Sequence, residues 1–199
     1  TGCANDTSAV AKLTVTPAPV ITAQPVGSTV CLNSALSLSV TASNASGYKW
    51  MRGTDSVGNA STYSVSSAQL LDSGSYTVVV SGNGPCASVT STAVTVNVTP
   101  LAAITTQPTA TTVCQGTNLS LTAAASNADS LVWFRGTTRV GTGNTYSVSS
   151  AASIDSGNYK VIAYSKGGCK NDTSATVLGA VTPAPVSYTH LRAHETLMN

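Results

Sequence analysis

The feature that most constrains this chain is an internal repeat whose period along the sequence is 83, the step from Trp50 to Trp133. Other landmark residues recur at the same spacing: Cys3, Cys86 and Cys169; Cys31 and Cys114; Tyr76 and Tyr159; Pro17, Pro100 and Pro183. Helical solenoids repeat at about 33 to 45 residues, so each unit here is expected to be a whole domain. The repeat predicts two domains, 17–99 and 100–182. It predicts 1–16 as the last strand of a preceding copy and 183–186 as a linker to a further copy.

Alternation of apolar and polar residues within each unit predicts β-strands. Leu36, Leu38 and Val40 are separated by polar residues, and Leu119 and Leu121 repeat the pattern in the second unit. A period of 2 is typical of a strand with one buried face. Short glycine-containing turns separate these runs, and no stretch has the periodicity of an amphipathic helix. The sequence therefore predicts an all-β chain of tandem β-sandwiches.

Composition excludes several classes of function. Charged residues make up only 8% of the chain, and the formal net charge of +2 is spread singly. Without a basic stripe, nucleic acid is not expected as a partner. No apolar run approaches the 18 or so residues of a membrane-spanning helix, so no span is predicted in this chain. Frequent Val and Thr argue against disorder.

One motif in each unit resembles a known fold. Trp50 precedes the run Asp72-Ser73-Gly74-Ser75-Tyr76, and the second unit repeats both features. They resemble the immunoglobulin fold, in which a buried Trp lies on strand C and a tyrosine hydroxyl bonds back to upstream backbone before strand F. The resemblance implies tandem Ig-like β-sandwiches. The structural core residues that it implies are Trp50, Trp133, Asp72, Tyr76, Asp155 and Tyr159.

The cysteines depart from the antibody pattern. Val78 and Val161 stand two residues after the corner tyrosines, where antibody domains carry a cysteine. The cysteines lie instead before strand B and after strand F. That arrangement is similar to the Ig-like repeats of large bacterial surface proteins and secreted adhesins.

Disulfide bonding is the expected role of the cysteines, since none of them has the close spacing of zinc ligands. The predicted pairs are Cys31 with Cys86 and Cys114 with Cys169, which have equal separations along the chain. Buried free thiols are the alternative. Cys3 corresponds to the second cysteine of an earlier copy, and its native partner cannot be identified. Disulfides indicate an oxidising compartment, so the chain is expected to be secreted or on the cell surface.

The C-terminal segment breaks every pattern above. Its sequence VSYTHLRAHET resembles the translation, in one frame, of transposase adapter DNA, so residues 187–199 are expected to be an artefact. This segment contains both histidines, His190 and His194, and the only glutamate of the chain. The apparent zinc motif that these residues form is excluded for the same reason.

Catalysis is not predicted from the rest of the chain. Residues 1–185 contain no His or Glu and their aspartates come singly, so no Ser-His-Asp site can form. No cofactor or metal is expected. Arg52 and Arg135 are interpreted as solvated charges, and Tyr164 is the one aromatic residue that the repeat does not require.

The leading hypothesis is a structural or adhesive stalk or spacer of a secreted or cell-surface protein. Its partners would be neighbouring Ig-like repeats and an unknown protein or glycan. One alternative is an accessory module of a secreted polysaccharide-active enzyme. A receptor ectodomain that binds a protein is a third hypothesis.

Overall fold

Strands make up nearly all the regular structure of the computed structural model, which describes residues 2–3, 5–84 and 88–183. The only helical elements in these ranges are three short 3-10 turns: Leu70–Asp72, Ser153–Asp155 and Lys166–Gly168. No helix in the same ranges is long and apolar enough to cross a membrane. The chain divides into two units, residues 1–100 and 101–199.

The described residues of the first unit form ten strands. They are β1 Val20–Ala23, β2 Ser28–Cys31, β3 Leu36–Ser39, β4 Thr41–Ser43, β5 Ala45–Arg52, β6 Asp55–Gly58, β7 Thr62–Val65, β8 Gly74–Gly82, β9 Val89–Thr90 and β10 Val94–Thr99. One layer contains the antiparallel pairs β1–β4 and β3–β7. The other layer has the order β2-β10-β8-β5-β6, with β9 paired to β8.

The second unit repeats this arrangement with ten further strands. They are β11 Ala103–Thr106, β12 Thr111–Cys114, β13 Leu119–Thr122, β14 Ala124–Ser126, β15 Ala128–Arg135, β16 Thr138–Thr142, β17 Thr145–Val148, β18 Gly157–Ser165, β19 Asp172–Thr173 and β20 Val177–Thr182. The layers are β11–β14 with β13–β17, and β12-β20-β18-β15-β16 with β19 paired to β18. The predicted all-β fold of tandem Ig-like sandwiches is confirmed.

The core of each unit lies between its two layers. Leu36 and Leu38 of β3 are buried, and so are Tyr76, Val78 and Val80 of β8. Both runs alternate with exposed or half-buried residues, as a strand with one face on the core must. The period-2 pattern therefore identified the inward faces of these strands correctly.

One strand pair in each unit runs parallel. In the first unit β2 pairs with β10, from Val96 opposite Ser28 to Thr99 opposite Cys31. In the second unit β12 pairs with β20, from Thr111 opposite Gly179 to Cys114 opposite Thr182. All other strand pairs within the described residues are antiparallel.

Residues 5–16 form no strand, and Leu13 and Val15 are 90% and 82% exposed. Their repeat counterparts on β10, Val96 and Val98, are 0% and 7% exposed. To form the strand that their counterparts form, these residues need a neighbouring strand to pair with and a core to pack against. A preceding copy would supply both, and the assignment of this segment to such a copy stays a prediction.

Candidate functional site

An aromatic cluster occupies the centre of the first unit. Trp50 is 0% exposed and lies opposite Val78 of β8. Val78 is the residue that stands where antibody domains carry a cysteine. Its Nε1 donates a hydrogen bond to the Ala60 carbonyl at 2.9 Å. The Tyr63 ring lies 6.4 Å from Trp50 and 5.5 Å from Tyr76, measured between ring centroids. Trp50 therefore packs on aromatic and aliphatic side chains.

The second unit contains the same cluster. Trp133 is 0% exposed, lies opposite Val161, and donates from Nε1 to the Gly143 carbonyl at 2.9 Å. Tyr146 lies 6.4 Å from Trp133 and 5.4 Å from Tyr159. Tyr63 and Tyr146 were not singled out from the sequence, although they occupy equivalent places in the repeat.

The structure forms the tyrosine corner in the first unit. The Tyr76 hydroxyl donates to the Asp72 carbonyl at 2.8 Å, and the Asp72 carboxylate accepts the Gln69 backbone N–H at 2.8 Å. Arg52 also belongs to the corner. Its Nη1 donates to the Leu71 carbonyl at 2.7 Å and lies 3.3 Å from Asp72 Oδ1.

The corner of the second unit repeats these contacts. The Tyr159 hydroxyl donates to the Asp155 carbonyl at 2.5 Å, and the Asp155 carboxylate accepts the Ala152 N–H at 2.9 Å. Arg135 Nη1 donates to the Ile154 carbonyl at 2.7 Å and lies 3.5 Å from Asp155 Oδ1. The interpretation of Arg52 and Arg135 as solvated charges is thus wrong. Each tethers the strand that carries the central tryptophan, β5 or β15, to the corner. A partly buried ion pair of this kind contributes up to about 1 kcal/mol.

Two buried serines complete the polar contacts of the core. Ser174 Oγ accepts the Val161 backbone N–H at 2.9 Å and donates to the Ala175 carbonyl at 2.8 Å. Ser91 accepts the Val78 N–H at 3.0 Å in the first unit. The serine hydroxyl therefore serves a buried backbone donor next to the central tryptophan in each unit. Nothing in the strand pattern singled out these serines among so many.

Burial raises the pKa of Tyr63 and of Tyr146 to about 12, and the neighbouring corner tyrosine adds to the effect. In the unfolded chain a tyrosine ionises near pH 10. The neutral form is therefore favoured by folding. The stability that this represents is complete below about pH 10 and is lost as the pH rises toward 12.

We expect the free energy of unfolding to fall between about pH 10 and 12, by at most about 1.4 kcal/mol per pH unit for each tyrosine. The double variant Tyr63→Phe with Tyr146→Phe should show a shallower decline, because Phe has no proton to lose. Urea unfolding at a series of pH values measures both slopes. The two proteins differ only in these two hydroxyl groups, so equal slopes would contradict the assignment.

The disulfide pairing predicted within the second unit is wrong. The chain does contain disulfide bonding, and both Cys31 and Cys169 are bonded, but Cys114 is free and exposed. Cys3 is also free. Cys86 itself lies outside the described residues, but its predicted pairing with Cys31 is wrong as well. Of the five cysteines, Cys3 and Cys114 are free, so a bond between Cys31 and Cys86 would leave the disulfide-bonded Cys169 without a partner.

The strand layout explains why Cys114 cannot reach Cys169. Cys114 lies opposite Thr182 of β20. Gly157, the first residue of β18, lies opposite Gly179, and β18 runs from there away from Thr182. Cys169 lies past the other end of that strand. At about 3.3 Å per residue the two cysteines are separated by more than about 20 Å along the strands. A disulfide requires Cα atoms within about 7 Å.

The remaining acidic residues of the sequence motifs make structural contacts in the part of the chain that the structure describes. Within residues 2–3, 5–84 and 88–183, no group of three or more His, Cys, Asp or Glu side chains is placed to hold a metal ion. Asp72 and Asp155 are each held by the tyrosine corner. Tyr164 is 37% exposed on β18. The contacts that the sequence motifs bring together are therefore contacts that hold the sandwich.

No family model matches the chain, and no curated protein matches it either. Solved structures, in contrast, are similar to the chain. An I-band fragment of titin has a TM-score of 0.65 at 15% identity, covering 85% of this chain and 67% of that one. Drosophila OTK, extracellular domains 3-5, has a TM-score of 0.61 at 13% identity, covering 84% of this chain and 63% of that one. DIP-gamma IG1+IG2 has a TM-score of 0.56 at 15% identity, covering 83% and 98%. At such low identity the likeness shows the fold, and the chain is a tandem of immunoglobulin-like β-sandwich domains.

Proposed function

We propose that this chain is a non-catalytic stalk or spacer that carries tension in a secreted or cell-surface protein. The observation that carries the proposal is the parallel pairing of β2 with β10 and of β12 with β20. When the chain is pulled by its ends, the first strand of a unit, β1 or β11, detaches first. The force then acts directly on the parallel pair, β2 with β10 or β12 with β20. Their geometry therefore decides how each unit responds to pulling.

Parallel terminal strands are loaded in shear when a unit is pulled by its ends. In the second unit the force acts on the start of β12 and on the end of β20, so the two strands must slide past each other along their register. All the hydrogen bonds between them resist together. An antiparallel hairpin pulled at its open ends breaks one bond after another, each worth only about 1 kcal/mol.

Side-chain contacts at the tyrosine corner also help each unit to resist tension. Arg52, Asp72 and Tyr76 join β5 to the corner before β8, and their counterparts join β15 to the corner before β18. The disulfide-bonded Cys31 and Cys169 support an oxidising, extracellular location. A bacterial-type adhesin with a protein or glycan ligand is the parent protein that the cysteine arrangement favours.

A proline in β12 tests this proposal. Val113 lies in the middle of the register between β12 and β20, and proline there removes a backbone donor from the parallel ladder. When the Val113→Pro chain is pulled by its two ends in reductant, we expect one of its two unfolding events to occur at clearly lower force. The other unit is unchanged and serves as the internal standard.

Val140→Pro is the matched control. Val140 lies in the edge strand β16, at the irregularity between the pairs Trp133–Gly141 and Phe134–Arg139, where proline is tolerated. It should leave the unfolding force of the second unit nearly unchanged. If both prolines lower the force equally, or if Val113→Pro has no effect, the parallel strands do not carry the tension.

A further inference from the structure

The two cysteines of the second unit lie at opposite ends of its sandwich. We call Cys31 and Cys114 the strand-end cysteines, because each is the last residue of β2 or β12. We call Cys3, Cys86 and Cys169 the loop cysteines, because Cys169 lies in the connection between β18 and β19 and the other two occupy the equivalent places in the repeat. The distance along β18 excludes a bridge between Cys114 and Cys169.

The two strand-end cysteines have the same backbone surroundings. The Cys31 carbonyl accepts the Ser34 N–H at 3.0 Å, and the Cys114 carbonyl accepts the Thr117 N–H at 3.1 Å. Each cysteine also ends a strand that pairs in parallel with the last strand of its unit. Cys31 is nevertheless disulfide-bonded and half-buried, whereas Cys114 is a free, exposed thiol. Cys114 therefore has the same backbone surroundings as Cys31, and Cys31 does form a disulfide.

We propose that Cys114 is a cross-linking site that forms a disulfide with the loop cysteine of a following copy of the repeat. The proposal rests on the stalk function and adds a covalent bond between the second unit and a copy that follows it. A loop cysteine is a suitable partner because Cys169 is itself disulfide-bonded, although its own unit holds the other cysteine out of reach. The repeat supplies one strand-end and one loop cysteine with every copy.

The chemistry is a thiol–disulfide exchange with a low-molecular-weight disulfide such as oxidised glutathione. The Cys114 thiolate attacks that disulfide, forms a mixed disulfide and releases one glutathione thiolate. The loop cysteine thiolate then attacks the Cys114 sulfur and releases the second glutathione. Two protein thiols are oxidised and one glutathione disulfide is reduced to two thiols, so electrons and protons balance.

The test is a chain in which residues 100–182 are duplicated in place, so that a further copy follows Thr182 through the same Thr-Pro joint. Both this extended chain and the parent chain are oxidised in glutathione buffer, and their free thiols are counted after denaturation. The added copy brings two cysteines. We expect no increase in the thiol count, because Cys114 pairs with the added loop cysteine and the added strand-end cysteine becomes the new free thiol.

The substitution Cys114→Ser should change the free-thiol count in opposite directions in the two chains. In the parent chain it should lower the thiol count by one, since Cys114 is free there. In the extended chain it should raise the count by one, since the added loop cysteine loses its partner. A decrease by one in both chains would overturn the proposal, as would a mass-spectrometric map that joins the two cysteines of the added copy. The pulling experiment is done in reductant, so either proposal can fail while the other stands.

Discussion

Replacing Trp50 by alanine is expected to lower the free energy of unfolding of the first unit by about 3 to 5 kcal/mol. The indole is 0% exposed and packs in the core with the β3 leucines and the ring of Tyr63. Its removal leaves a cavity that neighbouring strands cannot fill without breaking their ladders. It also leaves the Ala60 carbonyl without the indole donor that it accepts at 2.9 Å.

Calorimetry or urea unfolding in reductant measures this loss. Trp133→Ala should produce the same loss in the second unit, so each variant contains one unchanged unit as its internal standard. Tyr164→Ala is the surface control, because this side chain is 37% exposed. Its loss should be well under about 1 kcal/mol. A loss below about 1 kcal/mol for both tryptophans would place them outside the cores that organise the two sandwiches.

Local pattern predicted the inward faces of the strands well. Leu119 and Leu121 of β13 are 0% and 1% exposed, and the intervening Ser120 is exposed. Such alternation follows from the strand geometry alone, because successive side chains point to opposite faces. The corner motif was equally informative. Its Asp and Tyr are close neighbours in the chain, so their contact depends on one turn and hardly on the rest of the fold.

The cysteine pairing could not be obtained in the same way. Equal separations within the two units suggested bridges inside each unit, but separation along the chain does not say at which end of a sandwich a residue lies. The direction of β18 contains that information. It runs away from the end where β12 stops, so a cysteine that follows it cannot meet one that ends β12.

The arginines were misinterpreted for a related reason. Arg52 and Asp72 are far apart in the sequence, and their contact depends on where β5 ends relative to the corner. The signal that was available is the repetition, because Arg52 and Arg135 each follow a central tryptophan at the same short spacing. A charge kept at the same place in both units of a chain with only 8% charged residues indicates a structural partner.

The direction of pulling tests the central claim, that the units resist force through their parallel terminal strands. One experiment, in reductant, pulls the chain by its two ends. The other attaches the handles at Ser130 and Gly143, beside the open end of the antiparallel hairpin of β15 and β16, where Val132 faces Thr142. The first loads β12 against β20 in shear, and the second peels an edge strand one hydrogen bond at a time.

We expect end-to-end pulling to give two separate unfolding events at high force. Each event should release close to the contour of one repeat, about 290 Å at about 3.5 Å per residue. Pulling from Ser130 and Gly143 should open the second unit at markedly lower force. The same force in both directions, or a gradual extension when the ends are pulled, would contradict the account.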